Sequence, residues 1–86
     1  MDQKNNIIRS QFPYFGSKKN KEIVYFDNAA TTQKPKSVID TVMSFYREYN
    51  SNIHRSLHPH AALATQKYEE ARVLTQEFVS AKKVEE

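Results

Sequence analysis

Ile23-Val24-Tyr25-Phe26 is a run of four β-favouring residues that stops at Asp27-Asn28, two residues whose side chains bond their own backbone and favour turns. A strand needs a partner, because its N–H and C=O groups alternate outward and have nothing to pair with inside a single run. No second convincing strand occurs in the 86 residues. A short strand at 23–26 is therefore expected to pair with sheet supplied from elsewhere, and the chain reads as one segment of a longer polypeptide, cut at Glu86. A single glycine points the same way. A compact catalytic domain spends glycine on turns and on close approach of backbone to ligand, so either the fold is mostly helix or the glycine-rich part lies outside these residues.

Helix accounts for the rest. Ile7 and Ile8 among polar neighbours suit a weak surface helix at about 3–10, ended by Phe12-Pro13, since the residue before a proline is pushed out of the α region. Phe12, Tyr14 and Phe15 are expected to anchor this lead-in, and Gly16 to Glu22 reads as a mobile polar loop. Pro35, preorganised for a helix start, is followed by Val38, Val42, Phe45 and Tyr49 at helical spacing, which predicts a helix over about 35–49. Pro59 opens a second, predicted over about 59–81. Its stripe of Ala64, Lys67, Ala71, Leu74 and Phe78 is narrow and rich in alanine, which implies close approach to a neighbouring element. The fold class expected is thus mainly α, with residues 1–22 as a polar lead-in.

Leu, Ile, Val and Phe make up 19 of the 86 residues, so any apolar core is thin. The net charge is +3, but the basic residues are spread along the chain, whereas a nucleic-acid reader concentrates Lys and Arg on one element. No nucleic-acid or membrane partner is expected, and a cytoplasmic location is the default. The absence of cysteine removes a disulfide framework, a cysteine metal site and a thiol nucleophile from these residues.

Few side chains are candidates for chemistry. His54 and His58 have the i, i+4 spacing of paired metal ligands, but Pro59 argues against a helix there and no acid lies nearby in sequence, so no metal site is expected. His54 and Arg55 together could orient an anionic substrate, although a surface pair is the simpler reading. Glu69, Glu70 and Arg72 read as solvating charges on a helix.

Val24-Tyr25-Phe26-Asp27-Asn28-Ala29-Ala30-Thr31-Thr32-Gln33-Lys34-Pro35, then Asn52-Ile53-His54-Arg55-Ser56-Leu57-His58, then Ala64-Thr65-Gln66-Lys67-Tyr68-Glu69-Glu70-Ala71-Arg72 resemble the N-terminal part of class V aminotransferase-fold enzymes. The similarity is greatest to the SUF-type cysteine desulfurases and selenocysteine lyases. Two departures stand out: Ser56 where the family commonly has Gly, and His58-Pro59-His60 where Ser or Thr more often caps the helix. The resemblance implies an α/β fold of the pyridoxal-phosphate-dependent transferase type I in the complete enzyme. It further implies a homodimer that takes sulfur from L-cysteine, leaves alanine, and passes the sulfur to an acceptor protein for iron–sulfur cluster assembly.

Such an enzyme needs a lysine to hold pyridoxal 5'-phosphate and a cysteine nucleophile, and in the family both lie beyond these residues. No catalytic residue and no cofactor binding are therefore expected of the segment alone. What the resemblance places here is a wall of the site. Asn28, Ala29 and Ala30 would bring backbone close to substrate, His54 would lie at the pocket near the dimer interface, Arg55 would help hold that interface, and His58 would support the turn. The alternative is a non-catalytic helical interaction module derived from such an enzyme, binding a partner through its exposed apolar stripe.

Overall fold

The computed structural model describes residues 3–54 and 57–86. These fall into two compact units, residues 1–43 and 44–86. Among the described residues there are four α-helices: α1 (Gln3–Ser10), α2 (Pro13–Gly16), α3 (Lys36–Ser44) and α4 (Pro59–Phe78). A 3-10 turn spans Lys18–Asn20, and a π-helical turn, Phe45–Tyr49, continues directly from α3.

In the first unit, aromatic side chains do the packing. Tyr14 meets Phe15 and Tyr25 edge to face, with ring centroids 5.3 Å and 5.7 Å apart, a geometry that sets the positive ring edge against a negative face. The Arg9 guanidinium lies 4.1 Å from the Phe15 ring centre, a cation–π contact that ties α1 to α2. Gly16 to Glu22, expected as a polar turn or loop, is a polar turn, and the Asn20 side-chain amide donates to the Tyr14 carbonyl at 3.0 Å. The backbone N–H of Lys36 donates to the Gln11 carbonyl at 2.8 Å and brings the start of α3 back to the end of α1.

The strand expected at 23–26 does not form, and no strand occurs among the described residues. The segment has no regular secondary structure, with Phe26 92% and Val24 73% exposed. The cause is the one visible in the sequence: β propensity describes fit to a neighbouring pleated surface, and these residues have none. Only Tyr25 is drawn partly inward, by its contact with Tyr14.

The helix expected over 35–49 is α-helical only to Ser44, and Pro35 precedes it, its carbonyl accepting from Val38 and Ile39 N–H groups. Beyond Ser44 the spiral widens to the π form. Three of the five residues of that turn are aromatic, and Phe45 sets edge to face against both Tyr46 and Tyr49, at 5.4 Å and 5.2 Å. The turn packs against α4 in the second unit, where Ala61 and Ala64 are buried. These two alanines are three apart and so lie on one helix face.

α4 begins at an imidazole cap and ends at Phe78, three residues short of the expectation. Ser80 stops it. With φ 59 it adopts the left-handed conformation that glycine usually supplies, and the Ala81 N–H bonds to Gln76 O at 3.0 Å while the Ser80 N–H bonds to Glu77 O at 3.2 Å. This pair of bonds is a Schellman closure. The remainder of the apolar stripe is uncovered, with Leu74 65% and Phe78 90% exposed. No helix among the described residues is long and apolar enough to cross a membrane.

Candidate functional site

Two places hold the residues expected at a substrate wall, one in each unit. In the first, Asn28, Ala29 and Ala30 form an exposed turn. The Asp27 carbonyl accepts from the N–H groups of Ala30 and Thr31 at 3.0 Å and 3.1 Å, and the Thr32 hydroxyl donates to Asn28 O at 3.0 Å. The Tyr25 hydroxyl completes the frame by donating to Thr31 O, with Asp27 O a weaker second acceptor at 3.3 Å. Burial, then the neighbouring Asp27 charge, then Tyr14, push the Tyr25 phenol above its ordinary value. The turn is therefore braced from beneath by Tyr25 and presents two methyl groups and one amide outward, which leaves room for a ligand close to backbone.

The second place is His54. Its backbone has φ 65, a left-handed conformation that costs a non-glycine residue about 1–2 kcal/mol. Three side chains of α4 hold it there. The His54 N–H donates to the Thr65 hydroxyl at 2.8 Å, the ring lies edge-on to Tyr68 with centroids 5.6 Å apart, and Nε2 is 2.8 Å from Glu69 Oε1. Thr65, Tyr68 and Glu69 stand at i, i+3 and i+4, the spacing that lines one face of a helix.

Glu69 is the residue that sequence reasoning set aside as a solvating charge. The chain fold brings it to a histidine fifteen positions away, and the only advance signal was that helical spacing of Thr65, Tyr68 and Glu69 opposite a link containing histidines.

His54 lies outside any helix, and His58 caps the start of α4. Its Nδ1 accepts from the Ala61 N–H at 3.2 Å, so the imidazole performs the capping that Ser or Thr usually provides. Nδ1 must then be unprotonated, and Nε2 carries the hydrogen toward the Ser51 hydroxyl at 3.2 Å. Arg55, expected to hold an interface, lies outside the described residues. No group of three or more potential metal ligands occurs among the described residues.

The described residues by themselves do not make a pyridoxal-phosphate site. All nine lysines are exposed, whereas a lysine that serves as a nucleophile is activated by desolvation or a neighbouring cation. The single glycine, Gly16, lies in the first unit's lead-in, away from any phosphate-binding loop pattern.

The aminotransferase class-V family profile matches residues 24–86, and the chain belongs to that family. Within it, the chain is 55% identical over 75 residues to a probable cysteine desulfurase of Mycolicibacterium paratuberculosis, covering 86% of this chain and 11% of that one. It is 43% identical over 76 residues to the cysteine desulfurase SufS of Plasmodium falciparum, covering 88% and 14%. The apo structure of a cysteine desulfurase from Thermococcus onnurineus NA1 superimposes with a TM-score of 0.74 at 36% identity, over 90% of this chain and 18% of that one. The chain thus spans between a tenth and a fifth of the length of these relatives.

Proposed function

We propose that these residues form part of the substrate wall of a SUF-type cysteine desulfurase, a pyridoxal-phosphate enzyme that converts L-cysteine to L-alanine and an enzyme persulfide. The observation that carries this reading is similarity to proteins named as cysteine desulfurases across nearly the whole chain, 86% and 88% of it in the two relatives above. The cofactor, when bound in the complete enzyme, supplies the electron sink for breaking bonds at the substrate carbon. The lysine that holds it, the nucleophilic cysteine and the phosphate cradle come from residues outside this chain. Partners follow from the same reading: the rest of the enzyme, a second copy in a homodimer, and a sulfur-acceptor protein.

Within that enzyme the chain's own residues position and exclude. The Asn28-Ala29-Ala30 turn lets substrate approach backbone without a side chain in the way, and Tyr25 keeps the turn from shifting. His54 supplies an imidazole whose backbone and ring are both fixed, the condition for holding or moving a proton at a defined atom.

The test is His54→Ala in a desulfurase of the relatives' length that carries these residues. Turnover on cysteine is expected to fall by roughly 10²-fold, with cofactor content and melting temperature unchanged. Normal turnover would remove His54 from the site.

A further inference from the structure

We infer that Glu69 is a positioning residue for His54, fixing which ring nitrogen carries the proton. This rests on the reading above, in which His54 faces substrate. A carboxylate can only accept, so with Nε2 2.8 Å from Glu69 Oε1 the hydrogen must sit on Nε2, whether the ring is neutral or charged. The neutral ring then keeps its lone pair on Nδ1, and that nitrogen is the one left to hydrogen-bond or exchange a proton with substrate. If the ring takes up a proton, the cation forms beside a fixed negative charge.

The surroundings show that the arrangement is held from more than one side. A histidine at φ 65 stays there only if its neighbours over-determine the conformation, and the Thr65 hydroxyl does so by accepting the His54 N–H. Tyr68 stands edge-on against the ring, at 89° with centroids 5.6 Å apart. Both the imidazole and the carboxylate are about half exposed, at 48% and 49%. At that exposure the contact adds little to stability, whereas the choice of tautomer needs only one well-placed acceptor.

Two measurements decide it. In the cofactor-loaded enzyme, Glu69→Ala is expected to lower kcat to within about threefold of the His54→Ala value, with KM little changed. The double variant should be no slower than the slower single one, because residues acting as a unit are non-additive. Glu69→Gln, which keeps an acceptor oxygen, should recover most of the loss. In the 86-residue chain itself, nitrogen NMR of the imidazoles, with His54 assigned by its own variant, should show the neutral ring protonated at Nε2 and a mixture of tautomers once Glu69→Ala is made.

A Glu69→Ala enzyme with normal kcat beside a slow His54→Ala enzyme overturns the positioning role and leaves the site reading standing. So does an NMR signature of protonated Nδ1, or loss of fold or cofactor in both Glu69 variants, which would make Glu69 structural. A silent His54→Ala enzyme overturns both, and is recognised because the histidine variant itself has no effect.

Discussion

Tyr25 shows how one hydroxyl can hold a turn. Its proton bridges to the Thr31 carbonyl, with Asp27 O close by, so the ionised phenolate would face two carbonyl oxygens with no hydrogen between. Burial first, then the Asp27 charge, then Tyr14, push the phenol above the ordinary tyrosine value. Because the folded value is raised, the folded state holds its proton where the unfolded chain has released it. The stabilisation is therefore complete below the unfolded value of about 10 and is lost as pH rises through the folded one. Tyr25→Phe should abolish this alkaline component and, because it also removes the hydroxyl that bonds Thr31 O, leave the protein less stable than wild type at neutral pH. Tyrosinate absorbance and circular dichroism followed together through alkaline pH would show it, and identical alkaline transitions in the two proteins would contradict it. The bracing was partly legible in the sequence: Asp27-Asn28 announced a turn, but nothing in composition or spacing said that the tyrosine two residues earlier would fold over it. A hydrogen bond from Tyr25 to a carbonyl six residues on is a product of the turn's geometry, not of a pattern.

α4 is an element whose two ends are closed by unusual residues. His58 at the start uses an unprotonated Nδ1 where a hydroxyl usually serves, and Ser80 at the end accepts a left-handed conformation that suits glycine. His58→Ala should cost about 1 kcal/mol of helix stability, and His58→Ser should restore most of it. Ser80→Gly should gain about 1 kcal/mol, by relieving the conformational penalty while keeping the closing bonds. Thermal melts of the three variants give the sign of each, and a destabilised Ser80→Gly would show that the serine side chain matters more than its backbone. The extent of α4 was legible from Pro59 and the helical stripe, to within three residues. Its end was not, because a serine in the left-handed region leaves no mark in a sequence read for glycine. α1, expected at about 3–10 from Ile7 and Ile8, was legible over the described residues. The π turn was not: apolar spacing continues unbroken through Phe45 and Tyr49, and only the crowding of three aromatic rings distinguishes a widened turn from another turn of α-helix.

At the scale of the whole chain the shortage is of interior. Ala61 and Ala64 are the buried apolar residues among those described, and no large side chain is fully buried. Phe26, Leu57, Leu74 and Phe78 all keep most of their surface in solvent. Burying a phenylalanine is worth about 1.5–3 kcal/mol, so a chain that leaves this much uncovered has little to set against conformational entropy. The strand expected at 23–26 fails for the same reason as the lower half of α4 stays bare: each needs a surface that these residues do not contain. The proposed desulfurase supplies one, and Phe78 separates the two situations. In the chain alone Phe78→Ser removes a side chain already in water, and the change in unfolding free energy should stay within about 0.5 kcal/mol. In an enzyme of the relatives' length, if the bare face of α4 becomes interior, the same substitution deletes a packed ring and should cost about 3–5 kcal/mol. Denaturant titrations of both proteins measure the difference, and an equally small effect in the two would mean that this face of α4 is solvent-facing in the complete enzyme as well.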